Sequence, residues 1–238
     1  DPDSPTYGCA DREFWHYKTR DYSSSILQQL VLPIEYIRND VISIDVPKKQ
    51  IENLVVGLIK GHTRQINKYG GVNEYYPNEH SYVAGAFSLS AVARVLLDWQ
   101  NFKRNDLLNK VDWEAIQTQV NHIENRKEHA VDNPDNLIKE ITPSCQHAAS
   151  TAALFICSKL NKIKVNTDIL DNNLKWLIEN QDKEGWFNEY GGPDFGYLSV
   201  SIDALAEIHK ITNNNKVLIA LKKAISFVAS TIGIDHQI

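Results

Sequence analysis

Apolar positions recur along the chain at helical spacing, with little that alternates as a strand does. They divide it into about eight stretches of two kinds. Four are apolar or small on nearly every side: 23–37 (SSSILQQLVLPIEYI), 80–97 (HSYVAGAFSLSAVARVLL), 144–160 (SCQHAASTAALFICSKL) and 196–209 (GYLSVSIDALAEIH). The other four carry a single stripe. It is Ile51, Leu54, Val55, Leu58, Ile59 and Ile66 within 48–68, and Trp113, Ile116, Val120 and Ile123 within 112–128. It is Ile169, Leu170, Leu174, Leu177 and Ile178 within 166–180, and Val217, Leu218, Leu221, Ile225 and Val228 within 215–229.

The two kinds alternate strictly. A helix apolar all round is buried all round, whereas a one-stripe helix turns its back to water. Four repeats of buried then exposed predict an all-α chain of about four helical hairpins, with an inner and an outer layer. The expected architecture is an α/α toroid, or an open arc of one, forming a single domain over residues 1–238. An irregular helical bundle is the alternative. Asn78, Thr142 and Asp194 stand where inner helices need N-caps, with Pro143 at a first helical position, and Asp112 and Asn166 can cap two outer helices. Pro33 is expected to kink or shorten the first inner helix.

Two loops resemble each other. GVNEYYPNEHSY (71–82) and WFNEYGGPDFGY (186–197) match at Asn73/Asn188, Glu74/Glu189, Tyr75/Tyr190 and Tyr82/Tyr197, while Pro77 and Pro193 are one residue out of register. An internal repeat explains this better than chance. Both loops run into inner helices, which are parallel in successive hairpins, so such loops gather at one mouth. Segments 11–22, 69–82, 132–147 and 184–197 would meet there, beside four helix N-termini that favour anionic or strongly polar ligands.

The chemistry on these loops suits acid–base work on a sugar. Expected catalytic groups are Glu74, Glu189, His80, Tyr75 and Tyr190. Two carboxylates across a cleft serve glycoside hydrolysis, and a Tyr or His base beside a group that neutralises a carboxylate serves β-elimination on a uronic acid. Arg12, Trp15, Asn78, Tyr76, Trp186, Asp194 and Tyr197 are expected to hold substrate, the aromatics by stacking on sugar rings. Asp11, Glu13, His16 and His147 are further titratable groups in the same segments. Each also has a plainer role. Asp194 and Asn78 are cap residues, Glu74 and Glu189 can brace their loops through backbone N–H groups, the glycines serve turns at positive φ, and the charges of 11–21 can pair with one another.

Composition narrows the partners. The formal net charge is −5, which argues against a dedicated nucleic-acid or anionic-membrane surface. No apolar run approaches a bilayer span. The chain contains no Met and begins at Asp1, so a processed product or a piece of a longer chain is expected. Its three cysteines, Cys9, Cys145 and Cys157, are too few and too scattered for a disulfide framework, and free thiols fit the cytoplasm, though a removed signal peptide is compatible. Cys145 and His147 stand two apart on a helix with no third ligand in sequence, so no metal is expected, and no cofactor motif is present.

With alternation and loops together, the chain resembles the α/α-toroid superfamily over most of its length. PNEHSYVAGAFSLSAVA (77–93) resembles the segment of heparinase II/III-type polysaccharide lyases in which an Asn and a His precede a small-residue inner helix. That resemblance implies Asn78 and His80 as the carried-over pair, with Asn78 neutralising a uronate carboxylate. NQDKEGWF (180–187) is similar to the Q-x-x-x-G loops of terpenoid cyclases and protein prenyltransferases, without their D-x-D-D acid motif or zinc ligands. GWFNEYGGPDFG (185–196) is similar to lanthionine-cyclase loops, without their cysteines. Four hairpins fall short of a closed ring, so an open edge would need a partner chain or a further domain. The function expected is a lyase or hydrolase on an acidic polysaccharide. The alternatives are a non-catalytic module that binds a glycan or peptide, and an isoprenoid-processing enzyme.

Overall fold

The computed structural model describes residues 30–73, 80–125 and 144–232. Arg12, Trp15, Glu74, Tyr75, Tyr76 and Asn78 lie outside the described residues, as do Asp11, Glu13, His16, Thr142 and Pro143. Among the described residues the chain is all-helical, with nine helices and no strand. It gathers into two compact units, one of Asp1–Asp132 with Cys157–Val165 and one of Asn133–Ile156 with Asn166–Ile238.

The first unit holds α1 (Val31–Arg38), α2 (Lys48–Gln65), α3 (Tyr82–Asn101), the single turn α4 (Asn105–Leu108) and α5 (Trp113–Asn125). Helix α1 packs on α2 and α3, α3 on α4 and α5, and α2 reaches α5. Small residues let α3 sit in the middle, where Ala84, Ala86, Leu89, Val92, Ala93, Val95 and Leu96 are all fully buried. By length and apolarity α3 could cross a membrane, contrary to the sequence expectation, but 72% of that window is buried inside the protein. This is the character of a core helix. Ser81 caps α3, its hydroxyl accepting from the Ala84 N–H at 3.0 Å. The helix therefore starts later than a cap at Asn78 would require, because Ser81 reaches its first-turn N–H groups directly. Asp112 caps α5 through the Ala115 N–H at 3.0 Å. Pro33 falls in the first turn of α1 and neither kinks nor ends the helix, since an N–H there has no helical acceptor to lose.

Two buried polar networks lie in this core, and neither is announced by the apolar pattern. Glu35 is fully buried; Arg38 Nε donates to it at 2.6 Å, Asn39 Nδ2 at 3.1 Å and Trp99 Nε1 at 3.0 Å, and Arg38 Nη2 closes a second bond. On α2 the buried His62 bonds through Nε2 to Gln119 Oε1 at 2.8 Å, while Gln119 Nε2 points toward Gly85 O at 3.4 Å. Burial, only partly offset by that bond, lowers the His62 pKa to about 4, so the ring is neutral and donates. Two glutamine amides then zip the segment 157–165 onto the unit by imitating backbone. Gln100 donates to Lys159 O at 2.8 Å and accepts from Asn161 N–H at 2.7 Å. Gln117 does the same with Lys164, at 2.9 and 2.8 Å.

The second unit holds α6 (Ser144–Cys157), α7 (Thr167–Glu179), α8 (Phe195–Thr212) and α9 (Asn215–Thr231), with α8 and α7 both on α9. Asn166 and Asp194 cap α7 and α8 as expected, accepting from Asp168 and Tyr197 N–H groups at 2.9 Å each. Asn213 closes α8 in the left-handed conformation at φ 51, one of the few non-glycine residues suited to it. In α6 every residue except Gln146 is buried, as its unbroken small and apolar sequence predicts. Helix α8 departs from that prediction. It buries Leu198, Ser201, Ala204, Leu205 and Ile208 and exposes Ser199, Asp203 and Ala206, so it is striped rather than buried all round. Alanine and serine are indifferent to burial, and of the two acids Asp203 marks the wet side while Glu207 is half-buried. In the outer stripes Leu54 and Ile225 are likewise 50% and 49% exposed, because each stands at the margin of its stripe.

Candidate functional site

The two similar loops share one backbone. In the first, Gly70 N–H donates to Asn67 O at 2.9 Å, Asn67 N–H to Gly71 O at 3.0 Å, and Tyr69 N–H to Asn67 Oδ1 at 2.8 Å. In the second, Gly185 N–H donates to Asp182 O at 2.9 Å, Asp182 N–H to Trp186 O at 2.9 Å, and Glu184 N–H to Asp182 Oδ1 at 2.8 Å. Each is an Asx turn followed by a glycine at positive φ, 89 for Gly70 and 109 for Gly185. Each then sends an apolar residue inward, Val72 and Phe187, both buried. The repeat therefore extends toward the N-terminus beyond the N-E-Y motif, to Asn67/Asp182, Lys68/Lys183 and Gly70/Gly185. The shared Asx–Lys–x–Gly spacing is the signal that sequence inspection of the motif alone missed.

In the second loop the Gln181 side chain donates to Gly185 O at 2.9 Å and to Ala220 O of α9 at 2.8 Å. The Q-x-x-x-G element thus ties the loop to a neighbouring helix. Beyond it the chain makes a two-residue hairpin. Glu189 N–H donates to Gly192 O at 2.7 Å and Gly192 N–H returns to Glu189 O at 3.3 Å. The turn residues Tyr190 and Gly191 both have positive φ, 54 and 102, the mark of a type I′ turn. A bulky residue pays roughly 1–2 kcal/mol for that conformation. It leaves the Tyr190 ring 66% exposed and 5.7 Å from the ring of Tyr197, itself 41% exposed. Trp186 is half-buried nearby in sequence, and Phe195 stacks on Phe227 of α9 at 6.0 Å.

Glu189 turns inward instead. It is 4% exposed, and its Oε1 accepts from the Cys145 N–H at 2.6 Å in the first turn of α6. Asn188 O accepts from the Ser144 hydroxyl at 3.0 Å beside it. The bracing role foreseen for Glu189 is therefore present. Its other oxygen, Oε2, is buried without a hydrogen-bond partner among the described residues. Burial drives its pKa up, the Cys145 N–H pulls it down less strongly, and the nearby charge of Asp194 adds to the rise, leaving it at about 7. The same burial, with Glu189 beside it, raises the Cys145 thiol to about 12, so Cys145 is an inert thiol. His147 is buried, with Nε2–H on Asn173 O at 3.1 Å and its ring 4.3 Å from Trp176. No group of three metal-ligating side chains occurs among the described residues.

Of the described candidates, then, Trp186, Glu189, Tyr190, Asp194 and Tyr197 share one loop of the second unit, with the two tyrosines in ring contact. His80 stands in the first unit, half-buried, with Nδ1 2.7 Å from Asn67 Nδ2 and its ring 5.5 Å edge-on from Tyr69. No protein-family model, curated protein or solved structure matches this chain.

Proposed function

We propose that the chain is a carbohydrate-active protein whose 186–197 loop holds an acidic or polar glycan. The observation that carries this reading is the Tyr190–Tyr197 pair. One ring is kept at an unfavourable backbone angle and both are left in water, on a hairpin pinned at its base to α6 and α9. Flat, exposed, preorganised aromatic faces bind the apolar faces of sugar rings at little entropic cost. We propose the α/α toroid, or an open arc of one, as the architecture; hairpins of a buried and a striped helix in both units support it, and an open arc would leave an edge for a partner chain or further domain.

Turnover as a lyase or hydrolase is favoured by one further observation. A carboxyl held at about 7 is matched to proton transfer near neutrality, and Glu189 would serve as the acid once ligand binding opened the loop. Titration calorimetry with neutral and acidic oligosaccharides, followed by assays for reducing and unsaturated ends, tests both. Tyr190→Ala and Tyr197→Ala should each weaken binding by about tenfold, the scale of one lost stacking contact. Unchanged binding in both variants would sink the glycan reading. Unchanged turnover in Glu189→Gln would sink the catalytic one and leave a binding module.

A further inference from the structure

The exposed tyrosine pair of the second unit stands in a negative setting. Residues 182–197 carry four acids, Asp182, Glu184, Glu189 and Asp194, and one base, Lys183. Asp182, Glu184 and Asp194 make no ion pair among the described residues. Glu189 adjoins Tyr190 in the chain but is buried, which leaves Asp194 as the exposed acid of residues 186–197. Its Oδ1 accepts from the N–H of Tyr197 itself at 2.9 Å, so this carboxylate is fixed to the backbone that carries the second ring. Its charge also reaches the hairpin base, where it adds to the upward shift of Glu189. The rings of Tyr190 and Tyr197 meet at 5.7 Å with their planes 53° apart, an open V rather than a stack. Ring faces are the negative side of an aromatic quadrupole, so two wet rings beside a carboxylate favour a cation and disfavour an anion.

We infer that Tyr190, Tyr197 and Asp194 bind an ammonium group, so that the glycan held by the hairpin is one carrying amino sugars. This rests on the glycan reading and narrows its ligand from an acidic or polar sugar to a basic one. With the two centroids 5.7 Å apart, a cation seated about 4 Å above their midpoint is about 5 Å from each, inside the roughly 6 Å reach of a cation–π contact. The same ring faces stack on the apolar face of the sugar that bears the amine, so stacking holds any pyranose and the charge selects among them. An acidic sugar would bring its carboxylate against Asp194 and the ring faces, and that repulsion is what excludes it.

Two variants test this without disturbing the fold. Asparagine caps a helix as well as aspartate does, so Asp194→Asn removes the charge and keeps the bond to the Tyr197 N–H. Asparagine is also a favoured residue at positive φ in a type I′ turn, so Tyr190→Asn removes a ring and keeps the hairpin. The experiment is titration calorimetry on the full chain at about pH 6, where sugar amines are protonated. A glucosamine oligomer, its N-acetylated counterpart of equal length and oligogalacturonate are compared. The glucosamine oligomer should bind about tenfold tighter than the N-acetylated one, and lose about tenfold in Asp194→Asn and in Tyr190→Asn. The N-acetylated oligomer, held by stacking alone, should bind Asp194→Asn and the wild type equally. An N-acetylated or acidic oligomer that binds as tightly as the glucosamine oligomer overturns the inference. So does a glucosamine oligomer that binds Asp194→Asn as well as it binds the wild type. Should no oligosaccharide bind at all, the glycan reading has failed. Tetramethylammonium then decides this inference alone: a shift of the Tyr197 ring resonances that is lost in Tyr190→Asn upholds the cation site, and no shift overturns it.

Discussion

Gly70 and Gly185 stand at equivalent places in the two units, and each presses its Cα against a carbonyl of a neighbouring helix. A β-carbon would lie 2.2 Å from Thr118 O at Gly70 and 2.3 Å from Lys223 O at Gly185. Both also sit at positive φ. Substitution by alanine therefore meets two obstacles, a backbone penalty of about 1–2 kcal/mol and overpacking of about 1–3 kcal/mol. Gly191 has the positive φ with open space around it. Denaturant unfolding should show losses of roughly 2–5 kcal/mol for Gly70→Ala and Gly185→Ala, and of only about 1–2 kcal/mol for Gly191→Ala. Equal losses at all three would mean that backbone angle alone matters.

Glu189 links stability to pH in the direction opposite to most carboxylates. Its folded pKa, about 7, is raised from an ordinary 4.5. The stabilisation from its proton is thus fully present below about 4.5 and is lost as pH rises through about 7. Glu189→Gln keeps the acceptor for the Cys145 N–H and removes the buried charge. Its melting temperature should exceed the wild type's at about pH 8 and approach it near pH 5, a difference on the order of 2–3 kcal/mol. A variant less stable at every pH would show that the ionised carboxylate's bond to the α6 terminus outweighs its desolvation.

His62 acts in a lower window. Its folded pKa is depressed from 6.5 to about 4 by burial, so its contribution is present above 6.5 and is lost as pH falls through about 4. The His62 ring resonance should stay in its neutral position down to about pH 4.5, while an exposed histidine titrates near 6.5. A midpoint for His62 above 6 would contradict its neutral bond to Gln119. In Gln119→Leu the buried Nε2–H loses its acceptor, and stability should fall by about 1–3 kcal/mol.

The Glu35 cluster separates pairing from burial. Arg38→Met alone strands a fully buried carboxylate and should cost about 3–5 kcal/mol. Trp99→Phe removes one of its donors and should cost about 1–3 kcal/mol. The double variant Glu35→Leu/Arg38→Met removes both charges, and its stability should return to within about 1 kcal/mol of wild type. A double variant as unstable as Arg38→Met would mean that the ion pair itself supports the contact of α1 with α3.

How far the sequence reveals all this varies with the physics involved. Helices α2, α5, α7 and α9 are readable because one apolar stripe and a wet back define a period, and α3 and α6 because their residues are small or apolar without break. Helix α8 misleads because Ser199 and Ala206 fit either environment, and of its two acids Asp203 is exposed while Glu207 is half-buried. Helix α4 is too short to show any period. Glu189 and Tyr190 are found by the repeat, but their opposite fates, one carboxyl buried and one ring in water, come from the type I′ turn and from Cys145, which is 44 positions away. The partners of Glu35 and His62 are equally remote: Trp99 lies 64 positions from Glu35, and Gln119 lies 57 positions from His62.

The bond from the Cys145 amide to Glu189 has a kinetic corollary. That N–H is in the first turn of α6, where it has no helical acceptor, so among the described residues its hydrogen bond goes to the Glu189 carboxyl of the hairpin loop. Exchange at this single position therefore clocks how often the 186–197 loop lifts from the helix. Amides deeper in α6 wait for a larger opening. A ligand that grips Tyr190 and Tyr197 would slow the one clock and leave the others running.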